Sequence, residues 1–127
     1  LKLLYHFNFI YYNIYMNKII YILFFICFLS RIAISIISKN ININYLPIMS
    51  IFTSIISLYF LRGFIFNHPK IGIIFGNKVW WQNHRIIHSF NFGLFSILAF
   101  NKNPNCWIIL FIDAFFGLFV FINKYFL

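Results

Sequence analysis

Acidic residues are almost missing from this sequence: Asp113 stands alone against ten lysines and arginines, and only 9% of residues carry a charge. With a single carboxylate no acid–base pair of the kind used in general acid–base catalysis can be assembled from acids alone. Cysteine is nearly as scarce. Cys27 and Cys106 offer neither a disulfide framework nor metal-ligand spacing, and both sit in or beside apolar runs, where a thiol behaves as a small hydrophobe. None of the serines occupies a Gly-x-Ser-x-Gly elbow. Gly72 and Gly76 do not form a phosphate cradle before a helix and read as turn residues. His84-Arg85-Ile86-Ile87-His88 puts two imidazoles on one helix face but lacks the glutamate of a zinc protease, and a third ligand is not evident unless His68 folds over. Neither an enzyme nor a bound metal or cofactor is therefore expected, and no small-molecule substrate is identified.

What is present is apolar. Hydrophobic residues make up 63% of the 127 positions, aromatics 24%, and the mean hydropathy is +0.89. A soluble fold this small needs polar residues to cover its surface, and too few are available. The net charge of +9 does not point to nucleic acid, because the cations are scattered singly between apolar runs instead of forming a stripe that tracks phosphates. The dominant Phe, Ile, Asn, Tyr and Lys are all read from AT-rich codons, so their abundance carries little functional weight.

Four apolar segments predict an all-α fold, a polytopic membrane protein of about four transmembrane helices in a small bundle. The helices are expected at about 19–37, 45–66, 85–100 and 105–122. The first two are long enough to span; the last two are short, and a shallow hairpin is the alternative. Continuous runs such as Ile19 to Ile26 lack the alternation of a barrel strand. Asn103-Pro104 is expected to cap helix four, and Pro47 to open helix two. Met16-Asn17-Lys18 looks like a natural start, which makes residues 1–15 a candidate upstream or disordered segment. No small-residue cleavage site closes the first apolar run, so it reads as a retained anchor and not a signal peptide.

With four crossings, Lys18, Lys70, Lys78 and Lys124 share one face, with Arg62 and Arg85 at its border, while Lys39 and Lys102 occupy the other. The positive-inside rule then puts both termini in the cytosol or its topological equivalent. Lys78, Trp80, Trp81, Arg85, His88 and Trp107 are the expected interfacial anchors. Gly93 and Gly117 are expected to let helices three and four approach closely.

A charge near the centre of a spanning helix costs about 2.5–3.5 kcal/mol on insertion scales, so it is usually relieved by a partner. Arg31 and Asp113 lie at matching depths, about 9 and 12 Å from the sparsely charged face. Asn91 and Thr53 reach a similar level. Arg31, Thr53, Asn91 and Asp113 are therefore expected to form one intramembrane polar layer. Such a layer fastens helices or carries a proton or ion path; alternatively Arg31 snorkels and Asp113 pairs with another group, such as His88.

Gly76-Asn77-Lys78-Val79-Trp80-Trp81, followed by Arg85 and His88, then Ala99-Phe100-Asn101-Lys102-Asn103, Trp107, Asp113 and Gly117, resembles short, uncharacterised multi-spanning membrane proteins of nucleocytoplasmic large DNA viruses. The resemblance covers Lys70 to Phe121 and implies residence in a virion or host-derived membrane, without implying an activity. A structural or assembly role is the first expectation, with the lipid bilayer and other membrane proteins or further copies of the chain as partners. A small channel, transporter or organellar membrane-complex subunit using Arg31 and Asp113 is the alternative.

Overall fold

The structure, a computed structural model, describes residues 1–67 and 81–127, without the side chains at 2, 9 and 12–17. Every regular element among them is helical: α1 (Lys2–Asn40), α2 (Leu46–Phe66), α3 (Arg85–Phe100) and α4 (Trp107–Tyr125), with short 3-10 turns at Ile43–Tyr45 and Gln82–His84. Three stretches are long and apolar enough to cross a membrane: Lys18–Asn40, Ile43–Phe66 and Trp107–Tyr125. The 16 residues of α3 rise about 24 Å, short of a hydrocarbon core of about 30 Å.

Two boundaries differ from the sequence expectation. Residues 2–18 continue α1 as helix instead of forming a disordered segment, since no proline or glycine interrupts the chain before Gly63 except Pro47. At 39 residues, α1 extends about 58 Å, roughly twice the hydrocarbon thickness. Asn103 does not cap α4. Its Oδ1 accepts from the Asn105 backbone N–H in a local turn, Pro104 stands outside the helix, and α4 begins only at Trp107. Pro47 does lie in the first turn of α2.

The bundle is ordered by contact, not by chain position: α2 packs most extensively on α3, α4 packs on α1, and α3 meets α4. Inward positions follow a seven-residue repeat. On α1 they are Tyr21, Phe24, Phe28, Arg31, Ser35 and Ser38; on α3 they are Arg85, Ser89, Phe92, Ser96 and Ala99. That 3–4 spacing is the pattern of left-handed helix packing. One apolar cluster, built from Leu46, Phe92, Phe95, Ala99, Cys106 and Leu110, closes the end where α3 turns into α4. There Lys102 adopts a left-handed conformation at φ 56°, Asn103 N–H returns to Leu98 O, and the Lys102 ammonium donates to Asn44 Oδ1 at 3.1 Å.

Polarity runs opposite to that of a water-soluble domain. Among the described residues, eight hydrophobic side chains are buried against nine polar or charged ones, while Ile51, Phe52, Ile55, Leu58, Phe90, Ile97 and Phe119 are each more than 60% exposed. In water this would leave the driving force for folding unused. In hydrocarbon the outward Ile and Phe cost nothing, and hydrogen-bonded polar groups are best placed inside.

The α2–α3 seam shows how small residues carry that packing. Ser57 Oγ donates to Ser89 O at 2.7 Å and Ser89 Oγ donates back to Ser57 O at 2.9 Å. One level on, Ser96 Oγ donates to Ser50 O at 2.8 Å and also pairs with the Ser54 hydroxyl. The pairs 57/89 and 50/96 fix an antiparallel register. Gly93 sits between them, where a Cβ would stand 3.2 Å from Ser57 Oγ. Gly93 therefore serves the α2 contact and not the expected approach of α3 to α4.

Candidate functional site: a buried ion-pair cluster

Asp113 is a buried acid on α4 that meets side chains from two other helices. Position i+4 from it on α4 is Gly117, so both face the same neighbours. Its side chain is fully buried; the Arg31 guanidinium from α1 lies 3.2 Å from Oδ2, while Oδ1 receives Asn91 Nδ2–H at 2.8 Å and lies 2.8 Å from His88 Nδ1. Oδ2 receives no directed hydrogen bond among the described residues, so Arg31 is held there by charge and not by a well-aligned N–H.

The two contacts of His88 cannot both be ordinary hydrogen bonds. Nδ1 is 2.8 Å from the carboxylate and 3.3 Å from Arg31 Nη1. Arginine only donates and an ionised carboxylate only accepts. The shorter contact decides: Nδ1–H donates to Asp113, so that in a neutral ring Nε2 is the nitrogen without a proton. Arg31 Nη1 and the Nδ1–H are then two donors side by side, both drawn to one carboxylate.

Helical spacing explains the assembly. His88 and Asn91 are three apart and share one face of α3, while Ser89, Gly93 and Ser96 turn toward α2; α3 is thus the helix with two polar faces. Arg31 reaches the cluster across the Phe92 ring, 6.0 Å from its centroid. Gly117 makes room for it: a Cβ there would lie 3.1 Å from Arg31 Nη1 and 3.8 Å from His88 Cε1. The rings of Phe60 and Phe116 stand 5.6 and 5.9 Å from His88. The outcome is one carboxylate, one permanent cation and one imidazole in an apolar shell. That arrangement can hold helices together and can accept a proton.

Several expected site residues fall elsewhere. Thr53 is buried but bonds its own helix, donating to Met49 O at 3.0 Å, because α2 packs on α3 and does not reach Asp113. Depth alone matched it; its direction around the helix did not. His88 is not an interfacial anchor but a buried partner of Asp113. Arg85 is turned inward instead of reaching outward as an anchor. It is 4% exposed, and its Nη1 donates to Gly63 O at 3.0 Å, alongside Gln82 Nε2, also at 3.0 Å. Both satisfy the carbonyl end of α2, where a cation also meets the negative end of the helix dipole.

Trp81 is partly exposed. Trp107 is half-buried, with the Lys39 ammonium 4.6 Å over its ring and Ser35 Oγ donating to its backbone oxygen at 2.9 Å. Lys78 and Trp80 lie outside the described residues. His84 stands against Phe116.

Among the described residues no group of three or more His, Cys, Asp or Glu side chains could hold a metal ion. No family model matches the chain, and neither the curated proteins nor the solved structures yielded a match.

Proposed function

We propose that this chain is an integral membrane protein in which all four helices cross the bilayer, with a structural or assembly role and no catalysis. The observation that carries the reading is the inversion of polarity: an outward-facing shell of Ile, Leu and Phe around an interior where Arg31, His88, Asn91 and Asp113 bond across three helices. Each of those bonds joins two helices, which is the work of fastening. The antiparallel seam of α3 with α2 supports a full crossing by α3, since it sets the helices alongside one another. Trp81 and the Gln82–His84 turn add length at its start.

In this reading both termini face the cytosol or its equivalent, the partners are lipid and other membrane proteins or a second copy, and nucleic acid is not among them. Residence in a viral or host-derived membrane rests on the resemblance of the Gly76 to Gly117 stretch alone.

The second reading, a small channel, transporter or organellar complex subunit, is favoured by one observation: a titratable imidazole beside the Arg31–Asp113 pair. Purification of the tagged chain in mild detergent, followed by reconstitution into liposomes, separates the two. The structural role predicts a stoichiometric membrane partner or self-assembly, with no proton or ion flux above empty vesicles. Flux that Asp113→Asn abolishes, with assembly intact, would transfer the conclusion to the second reading.

A further inference from the structure

We propose that His88, Asp113 and Arg31 form a proton-operated latch on α1: a proton taken up by the His88 ring displaces Arg31 from Asp113 and loosens α1 from α4. The inference rests on the fastening role given above and adds the condition under which the fastener lets go.

Among the described residues, the polar attachments of α1 to the rest of the bundle lie on one stripe, Arg31 to Asp113 and His88, Ser35 to the Trp107 carbonyl, and Lys39 over the Trp107 ring. The remainder of that seam is aromatic, as in Phe24 on Phe121 and Phe28 on Phe115. Asp113 is unequally shared. Oδ1 takes two hydrogen bonds of 2.8 Å from α3, whereas Arg31 holds Oδ2 at 3.2 Å, with 15% of its side chain exposed against 8% for His88. Arg31 is thus the donor at the longest distance, and it is less enclosed than His88.

With a neutral ring the cluster balances one cation against one anion. A proton arriving from water adds to Nε2, breaks no covalent bond, and turns the ring into an imidazolium 3.3 Å from the guanidinium. Two cations then compete for one carboxylate in a medium that screens poorly. The long arginine stem can swing its charge toward the interface; the short histidine stem, fixed on α3 by the Asp113 bond, cannot. The groups facing His88 are Arg31 from α1, Asp113 from α4, and His84 and Asn91 from α3. From α2 the Phe60 ring lies nearest, with Tyr59 its titratable neighbour in sequence. None but Asp113 carries negative charge near neutral pH.

The test uses the full chain in phosphatidylcholine nanodiscs, with spin labels at Cys27 on α1 and at Phe119→Cys on α4, both exposed positions, in a Cys106→Ala background. The label-to-label distance is followed from about pH 8 to about pH 5, the range in which imidazole ordinarily changes charge. The expected result is a single short distance at the upper pH, with most of that population lost at the lower pH. His88→Gln should stay short throughout, and His84→Gln should behave as the parent does. Nitrogen-15 resonances of the His88 ring in the parent chain should follow the same midpoint as the distance, which keeps the test decisive if His88→Gln fails to fold. A short distance that ignores pH, a midpoint that differs from that of the His88 ring, or opening that persists in His88→Gln would overturn the latch while leaving the fastener intact. A long distance already present at the upper pH would overturn both.

Discussion

Asp113→Asn is expected to lower the stability of the bundle by about 3 kcal/mol, the low end of the cost of leaving a buried charge without its partner, because the Arg31 stem can swing part of its charge toward the interface. The loss should far exceed that of an ordinary interhelical hydrogen bond in lipid, which averages only about 0.6 kcal/mol. The comparison decides which effect dominates. Asn91 and His88 each lose one such bond or keep it in weakened form with an amide acceptor, whereas Arg31 keeps a charge that nothing balances. The double substitution Arg31→Met with Asp113→Asn removes both charges, keeps an amide oxygen as acceptor for His88 and Asn91, and should recover most of the loss. Reversible unfolding in bicelles, followed by circular dichroism, measures all three chains. A single-mutant loss below about 1 kcal/mol, or a double mutant no better than the single, would mean that the pair does not fasten α1 to α4.

Gly93→Leu should be the next most damaging change, at about 2–4 kcal/mol, combining overpacking with the loss of neighbouring serine bonds. The first carbon alone would stand 3.2 Å from Ser57 Oγ, and three more would enter the level where Ser57 and Ser89 exchange hydrogen bonds. Gly93→Ala, by contrast, asks only that one hydroxyl shift by a few tenths of an ångström and should cost less than about 1 kcal/mol. The same unfolding assay reads both. Equal effects from the alanine and leucine variants would show that the seam is looser than its hydrogen bonds indicate.

Much of the fold is legible in the residues because long apolar runs without strand alternation favour the helix, so α2, α3 and α4 fall within a few residues of their expected limits. The start of α1 was harder to place. A methionine at position 16 suggests a beginning, but backbone geometry depends on the absence of breakers, and none occurs before Asn40.

The polar cluster was legible in part for a definable reason. Depth in a bilayer follows from residue count along a helix, and this brings Arg31, Asn91 and Asp113 to one level. Direction around the helix axis requires knowing which neighbour each helix faces, and depth says nothing of that. Thr53 fails on this point, since its helix packs on the far side of α3. His88 enters the sequence reading only as an alternative partner of Asp113, because pairing it with His84 at four residues suggests an interface, while its three-residue spacing to Asn91 is the stronger sign of a shared inward face. The serine seam was also readable. Ser50, Ser54 and Ser57 repeat the 4–3 spacing of Ser89, Gly93 and Ser96, yet a serine bonding its own backbone, as Ser30 and Ser38 do, gives no hint of a partner. Arg85 was misplaced for a related reason: a cation near a helix start suits headgroups, but here the carbonyl end of α2 lies within reach.

The central claim is that this bundle threads the bilayer four times with the Asp113 cluster inside it. Single cysteines at Asn44, Asn103, Asn67 and Lys124, introduced into a background without Cys27 and Cys106, test it directly when probed in sealed vesicles with a membrane-impermeant maleimide. Labelling of Asn44→Cys and Asn103→Cys from one side, and of Asn67→Cys and Lys124→Cys only from the other, is the predicted result. Labelling of all four from the same side would contradict it.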